Sequence, residues 1–134
     1  MTTNPITVPG QTNIPDAYWK MIDHDIRRLI VMDNGKLMGI VTINDLRQKI
    51  PYMTFAIDAI KASDTLSQLP INCVMSKNPI TIQIDTDLVD AAKLMIKKHI
   101  STLPVLKNNE LIGLITEGDI FRAFVALFEK MNNG

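Results

Sequence analysis

The chain has 134 residues, of which 46% are hydrophobic and 21% charged, enough for one domain-sized core. Fourteen basic residues balance fourteen acidic ones, so the formal charge is zero and a nucleic-acid partner is disfavoured. No apolar stretch reaches the length of a membrane span and no signal segment opens the chain, so we expect a cytoplasmic protein without a membrane partner. The single cysteine excludes an intramolecular disulfide.

The sequence contains an internal repeat. Met1 to Val8 aligns with Met75 to Ile82, and the register continues without a gap to Asp45 in the first copy and Asp119 in the second. Identical pairs include Asp16/Asp90, Met21/Met95, Leu29/Leu103, Gly39/Gly113, Thr42/Thr116 and Asp45/Asp119. Two unrelated segments with a shared amphipathic rhythm would match apolar residues but not these Gly, Thr and Asp pairs. The chain is therefore predicted to be a duplication.

Each copy begins with a predicted strand followed by a helix. The β-branched runs Ile6 to Val8 and Ile80 to Ile82 follow Asn-Pro dipeptides, which cannot continue a helix. Apolar residues then recur at helical spacing after a threonine suited to be an N-cap, Thr12 or Thr86. The two apolar series are Ile14, Ala17, Tyr18, Met21 and Ile22, and Leu88, Ala91, Ala92, Met95 and Ile96. Both helices are expected to bury one face.

A hairpin and a second helix complete each copy. Asn34-Gly35 supplies the positive φ angles of a tight turn, and Lys107 to Glu110 is the corresponding turn of the second copy. The final helices are predicted over Asn44 to Ile50 and Gly118 to Met131. The second of these helices carries Ile120, Phe121, Phe124, Val125 and Phe128 on one face. Each repeat is therefore predicted to be β-α-β-β-α.

We assign residues 1–50 to the first repeat, 51–70 to a connector and 71–134 to the second repeat. The connector is expected to be partly helical, from about Thr54 to Lys61. Two helices cannot cover both faces of a three-stranded sheet, so the repeats are expected to pack together. The lead-in of the second repeat, Leu69 to Val74, has no counterpart at the start of the chain, so we expect a module cut from a longer protein.

Two motifs carry a family resemblance. Gly-x-x-Thr-x-x-Asp occurs at residues 39–45 and 113–119, and Leu103-Pro104-Val105 opens the second strand of the second copy. With Asn-Pro at each first strand, the chain resembles a tandem pair of CBS domains, the Bateman module, over nearly its whole length. The resemblance implies an α/β fold of two repeats related by pseudo-two-fold symmetry, with small sheets packed with helices. It also implies a regulatory module that binds AMP, ADP or ATP in clefts between the repeats and signals to a partner protein or effector domain.

The residues themselves favour nucleotide binding. Thr42 and Thr116 lie where a strand passes into a helix, so a hydroxyl and free backbone N–H groups converge on an anion-binding corner. Asp45 and Asp119 follow one turn later, and a carboxylate can accept both hydrogens of a ribose cis-diol. The corner therefore offers hydrogen-bond donors to a phosphate and an acceptor to a ribose.

The two copies differ around these corners. Gly118 lets a ligand approach the backbone closely, whereas Asn44 places a side chain at the equivalent position. The resemblance implies that the base pocket is walled by Thr7, Thr81 and Ser101. The first copy departs from the family pattern, because Arg27 stands where Ser101 does and an isoleucine replaces Pro104. Arg27 and Arg28 could supply positive charge for phosphates or form a solvated, ion-paired surface feature.

No catalytic or metal site is predicted. A Gly-x-x-x-x-Gly-Lys motif is absent from the sequence, and neither His24 nor His99 is spaced with a second ligand. We expect a protein that is not an enzyme and needs no cofactor, with the nucleotide as a regulatory ligand. The phenylalanines of the last helix exceed what a small sheet can cover, so we also predict a homodimer.

Two alternatives stay open. If Thr and Asp only cap their helices, the chain is a structural dimerisation module without a specific ligand. The repeats could instead bind another adenosyl ligand, such as S-adenosylmethionine.

Overall fold

The computed structural model describes residues 1–49 and 69–133, and the side chains of residues 47 and 49 are outside this description. The predicted connector helix from Thr54 to Lys61 lies outside the described residues. In chain order the elements are β1 (Thr2–Thr3), β2 (Thr7–Val8), α1 (Ile14–Asp23), β3 (Arg28–Asp33), β4 (Lys36–Thr42), α2 (Ile43–Lys49), a 3-10 helix (Ile71–Cys73), β5 (Ser76–Lys77), β6 (Ile82–Gln83), α3 (Leu88–Lys98), β7 (Thr102–Lys107), β8 (Glu110–Thr116) and α4 (Glu117–Asn133). The predicted order of elements in each repeat is confirmed.

The chain forms two compact units. The first unit is Ile6–Pro79, and the second unit combines Met1–Pro5 with Ile80–Gly134. The first unit contains a sheet of order β2-β3-β4-β5, and the second contains a sheet of order β1-β8-β7-β6. In both sheets the strand before the first helix runs parallel to the next strand, which forms an antiparallel hairpin with the third.

Each sheet receives one short strand from the segment that precedes the other repeat. β1 pairs with β8 in the second unit, and β5 pairs with β4 in the first unit. The chain turns out of each of these strands at an asparagine with positive φ, 51° at Asn4 and 53° at Asn78, followed by a proline. The Asn-Pro dipeptides therefore separate two strands that belong to different sheets. The observed first strands begin later than predicted, at Thr7 and Ile82, and the second ends one residue later, at Gln83.

The hairpin turns follow the prediction, whereas the helix caps differ from it. Asn34 and Gly35 both have positive φ, 52° and 74°, as a tight turn requires. The predicted N-caps Thr12 and Thr86 are wrong by one residue, because Asn13 is the N-cap of α1 and Asp87, whose side chain makes no capping hydrogen bond, is at the N-cap position of α3. The Asn13 side chain accepts a 2.8 Å hydrogen bond from the Asp16 amide. Thr12 instead uses its carbonyl to accept from the Ile71 amide at 2.6 Å, which keeps it outside the helix.

Each unit has its own apolar core. Ile14, Ala17 and Met21 of α1 are fully buried in the first unit, and Ala91 and Met95 of α3 are buried in the second. Three residues predicted on the buried helix faces are exposed instead: Ile22, Leu88 and Ile96. The α4 helix has no buried residue, and its phenylalanines are exposed as the sequence predicts: Phe121, Phe124 and Phe128.

Candidate functional site

The end of β8 and the first turn of α4 form a corner in the second unit, which we call the second corner and define as Thr116, Gly118 and Asp119. The Thr116 amide donates a 2.9 Å hydrogen bond to Asp119 Oδ2, and the Thr116 hydroxyl donates to the same oxygen at 3.3 Å. The Asp119 amide approaches Thr116 Oγ1 at 3.4 Å. These bonds form because the Gly-x-x-Thr-x-x-Asp spacing places the carboxylate in the first helical turn, facing the last strand residue.

The first unit contains an equivalent arrangement, the first corner, formed by Thr42, Asn44 and Asp45. The Thr42 amide donates to Asp45 Oδ2 at 3.0 Å, and the Asp45 amide donates to Thr42 Oγ1 at 2.9 Å. Asn44 is exposed. The two copies of the motif therefore fold in the same way locally, and each fixes a half-buried carboxylate at the start of a helix.

Asp119 has additional charged neighbours. Arg122 donates from Nη2 to Asp119 Oδ1 at 2.7 Å, and the α-ammonium group of Met1 lies 3.6 Å from the same oxygen. Burial acts to raise the pKa of Asp119, but the Thr116 amide, the Arg122 guanidinium, the Met1 ammonium and the Thr116 hydroxyl together lower this pKa below its ordinary value. The second corner consequently presents an ionised carboxylate, which can only accept hydrogen bonds.

Gly118 leaves the backbone of the second corner open. A Cβ atom built on Gly118 would meet Arg122 Nη1 at 3.3 Å and Thr116 Oγ1 at 3.5 Å. The guanidinium therefore lies over the first turn of α4, where backbone N–H groups have no intrahelical acceptor. The positive end of the α4 dipole, an adjacent carboxylate and a cation together suit a ligand that carries both an anionic group and hydroxyls.

The other predicted site residues belong to the same units as their corners, and Ser101, Arg27 and Arg28 are linked to the corners by backbone pairing. Ser101 is exposed, and its carbonyl accepts a 3.0 Å hydrogen bond from the Glu117 amide at the start of α4. Thr81 is half-buried directly before β6. In the first unit, Thr7 pairs with Ile30, and Arg28 lies opposite Thr42 across the β3–β4 ladder. The exposed Arg27 accepts from the Ile43 amide through its carbonyl at 2.9 Å. In both units, the first residue of the final helix therefore donates a backbone hydrogen bond to the residue that precedes the second strand of the repeat, Ser101 or Arg27.

A groove of about 520 Å³ lies between α3 and α4 of the second unit. Its walls are mostly apolar and include Met95, Ile96, Ile120 and Phe121. Ser101 is the only predicted site residue that lines it. Glu117, which lies between Thr116 and Gly118, also lines it, so the groove borders the second corner.

Sequence reasoning missed Arg122. The available signal was the spacing of Asp119 and Arg122, opposite charges three residues apart on a predicted helix. Within residues 1–49 and 69–133, no group of three metal-binding side chains is found. None of the helices in that part of the chain is long and apolar enough to cross a membrane.

The chain is similar to proteins that carry CBS domains. The family model for the CBS domain matches residues 1–52 and 57–126. A CBS domain-containing protein of Dictyostelium discoideum is 31% identical over 133 residues, which is 98% of this chain and 92% of that protein. Several other relatives are longer, and this chain spans 32% or less of their length.

Solved structures agree with the sequence comparisons. The crystal structure of CBSX2 in complex with AMP has a TM-score of 0.75 and 25% identity, over 95% of this chain and 93% of that one. A Methanocaldococcus jannaschii protein described as a putative archaeal homolog of g-AMPK has a TM-score of 0.77 and 27% identity, over 92% of this chain and 45% of that one. The repeated fold, the twofold occurrence of the Thr–Asp corner and the two matched segments lead to one conclusion: this chain belongs to the CBS-domain family and is a tandem pair of CBS domains.

Proposed function

We propose that this CBS pair is a regulatory module that binds an adenine nucleotide, AMP, ADP or ATP, and passes its occupancy to a partner protein or an effector domain. The observation that carries this proposal is the fixed, ionised carboxylate of Asp119 at the N-terminus of α4. The similarity to a CBS protein crystallised with AMP supports the choice of ligand.

The chemistry of the second corner matches the two polar parts of a nucleotide. The ribose cis-diol has two hydroxyl donors, and an ionised carboxylate accepts them in charge-assisted hydrogen bonds. A phosphate is stabilised by the positive dipole end of a helix N-terminus. Gly118 has no side chain, so the ligand can approach this backbone closely. We therefore assign the ribose to Asp119 and a phosphate to Thr116 and the backbone near Gly118, with Thr81 and Ser101 toward the base.

In this proposal, the first corner binds the nucleotide less tightly than the second corner. Asp45 is held by Thr42 as Asp119 is held by Thr116, but the exposed side chain of Asn44 stands where the second corner has a glycine. Arg27 takes the position of Ser101, so the base contact of the family pattern is missing. Thr7, Arg27 and Arg28 remain its proposed ligand contacts.

A thermal-shift panel tests the proposal. A ligand present at about 100 times its dissociation constant adds roughly 2.7 kcal/mol to the free energy of unfolding, which raises the Tm of a domain this size by several degrees. We expect AMP, ADP or ATP to raise the Tm, and GMP, which differs in the base, to raise it less. A panel in which NAD, S-adenosylmethionine and all adenine nucleotides leave the Tm unchanged at millimolar concentration would contradict the proposal.

A structural dimerisation module is the second candidate, and one observation favours it. Phe121, Phe124 and Phe128 of α4 are 66%, 62% and 54% exposed, although apolar side chains of this size are usually buried. Phe124 and Phe128 stack with ring centroids 6.1 Å apart, so they form one continuous patch. A homodimer would cover the patch whether or not the corners hold a ligand.

A further inference from the structure

The two carboxylate oxygens of Asp119 have different partners. Oδ2 accepts from the Thr116 amide and hydroxyl, and Oδ1 accepts from Arg122 Nη2 at 2.7 Å. A ribose diol that binds the carboxylate through both oxygens must therefore compete with Arg122 for Oδ1. The competition is built into the second corner, because Asp119 and Arg122 are neighbours on the same face of α4.

The Arg122 side chain can move when a ligand binds, whereas the Asp119 side chain is held in place. The Arg122 side chain is 73% exposed and that of Asp119 is 14% exposed. An ion pair with one exposed partner contributes little, and its loss changes affinity by less than about fivefold. Thr116 holds the carboxylate in place while the guanidinium swings away. Arg122 is thus the mobile member of the pair.

The displaced guanidinium stays close to the place where a phosphate would bind. Arg122 Nη1 and Nη2 lie 3.3 and 3.8 Å from the position of a Cβ atom on Gly118, so the guanidinium already covers the start of α4. A phosphate drawn to the helix N-terminus would meet this planar fork of donors, which binds phosphate oxygens in a bidentate manner.

We propose that Arg122 is a specificity-determining residue, which makes the second corner select phosphate-bearing adenosine ligands over adenosine. The proposal rests on the proposed function. A phosphorylated ligand displaces Arg122 from Asp119 and gives it a new anionic partner. A ligand without a phosphate must also displace Arg122, but it leaves the guanidinium without an anionic partner. Arg122 therefore strengthens the binding of phosphorylated ligands and weakens the binding of ligands without a phosphate.

The first corner provides an internal comparison. The residue three positions after Asp45 is Gln48, which is exposed and carries no charge. This corner cannot discriminate by the same device, since a neutral amide neither pairs strongly with the carboxylate nor neutralises a phosphate. The substitution Arg122→Gln copies the first repeat into the second and removes the charge at an exposed position, so folding is retained.

Titration calorimetry with AMP and adenosine tests the inference. In an Asp45→Ala background, which restricts binding to the second corner, we expect Arg122→Gln to weaken AMP binding by about tenfold. Adenosine binding should be unchanged or up to about fivefold tighter, because its competitor is gone. The ratio of the adenosine and AMP dissociation constants then falls by at least about tenfold. Lys130→Gln, which removes a positive charge from the last turn of α4, is the matched control and leaves the ratio unchanged.

Two results would overturn the inference, and they can be told apart. If AMP binds the parent and Arg122→Gln keeps the parent ratio, Arg122 does not select the ligand and the proposed function stands. If neither AMP nor adenosine binds the parent, the inference and the proposed function fail together.

Discussion

Thr116 and Asp119 bond each other in both directions: the Thr116 amide donates to Asp119 Oδ2 at 2.9 Å, and the Asp119 amide donates to Thr116 Oγ1 at 3.4 Å. This pair closes the N-terminus of α4 and also fixes the carboxylate that the proposed ligand would use. Folding and binding therefore depend on the same two side chains. A useful variant must separate the free energy of unfolding from the free energy of ligand binding.

Gly118→Ala separates these two quantities. Alanine has a higher helix propensity than glycine, so we expect the free energy of unfolding to rise by about 0.5–1 kcal/mol. The new methyl group meets the flexible end of Arg122 at 3.3 Å, which can move, so the helix is not strained. The methyl group covers the backbone that the phosphate would approach, so AMP affinity should fall by about tenfold. Urea unfolding and calorimetry measure the two effects.

The reverse exchange on the same helix is the control. Ala126→Gly changes an exposed residue on the opposite side of α4 from Phe124, and we expect it to lower stability by a similar amount without changing AMP affinity. Unchanged AMP binding in Gly118→Ala would mean that the ligand does not approach this backbone.

Because the pKa of Asp119 is lowered in the folded state, the free energy of unfolding depends on pH. The pKa in the folded state is below that in the unfolded state, so ionised Asp119 stabilises the fold above its ordinary pKa of roughly 4. This stabilisation is lost as the pH falls through the lowered folded-state pKa. Among residues 1–49 and 69–133, Arg122 and the Met1 ammonium are the charged groups that pair with the carboxylate.

Asp119→Asn removes this contribution. The difference in unfolding free energy between parent and variant should be largest near neutral pH and shrink below about pH 4. Chemical unfolding at a series of pH values measures it. A difference that stays constant from neutral pH to about pH 2 would show that Asp119 has the same pKa in both states.

The exposed face of α4 predicts self-association. Phe124→Glu places a charge in the patch formed with Phe121 and Phe128, so a homodimer that buries this patch should dissociate. Light scattering should give about twice the 15.0 kDa chain mass for the parent and about that mass for the variant. Ala126→Glu adds the same charge on the far side of the helix and should remain dimeric. A parent mass near 15 kDa at micromolar concentration would rule out the dimer.

The local features were predictable because they depend on neighbours in sequence. The Asn34-Gly35 turn, the periodic helices and the Thr–Asp corners all follow from spacings of four residues or fewer. The exchange of β1 and β5 between sheets was not predicted, since two-residue strands carry almost no periodic signal and their pairing is set by distant residues. The competition of Arg122 for Asp119 needed the direction of two side chains, which spacing alone does not specify.

The most direct test of the central claim is a calorimetric titration of AMP into the parent, Asp119→Ala and Asp45→Ala. Both variants lose an equivalent capping hydrogen bond worth about 1 kcal/mol, and Asp119→Ala also loses the ion pairs with Arg122 and the Met1 ammonium, so the free energy of unfolding is measured for all three proteins alongside the titration. The account predicts that Asp119→Ala weakens AMP binding by about tenfold to a hundredfold, because charge-assisted hydrogen bonds of roughly 1.5–3 kcal/mol are lost, while Asp45→Ala keeps the tighter site. Equal AMP affinity in all three proteins would contradict the account and favour a structural dimerisation module.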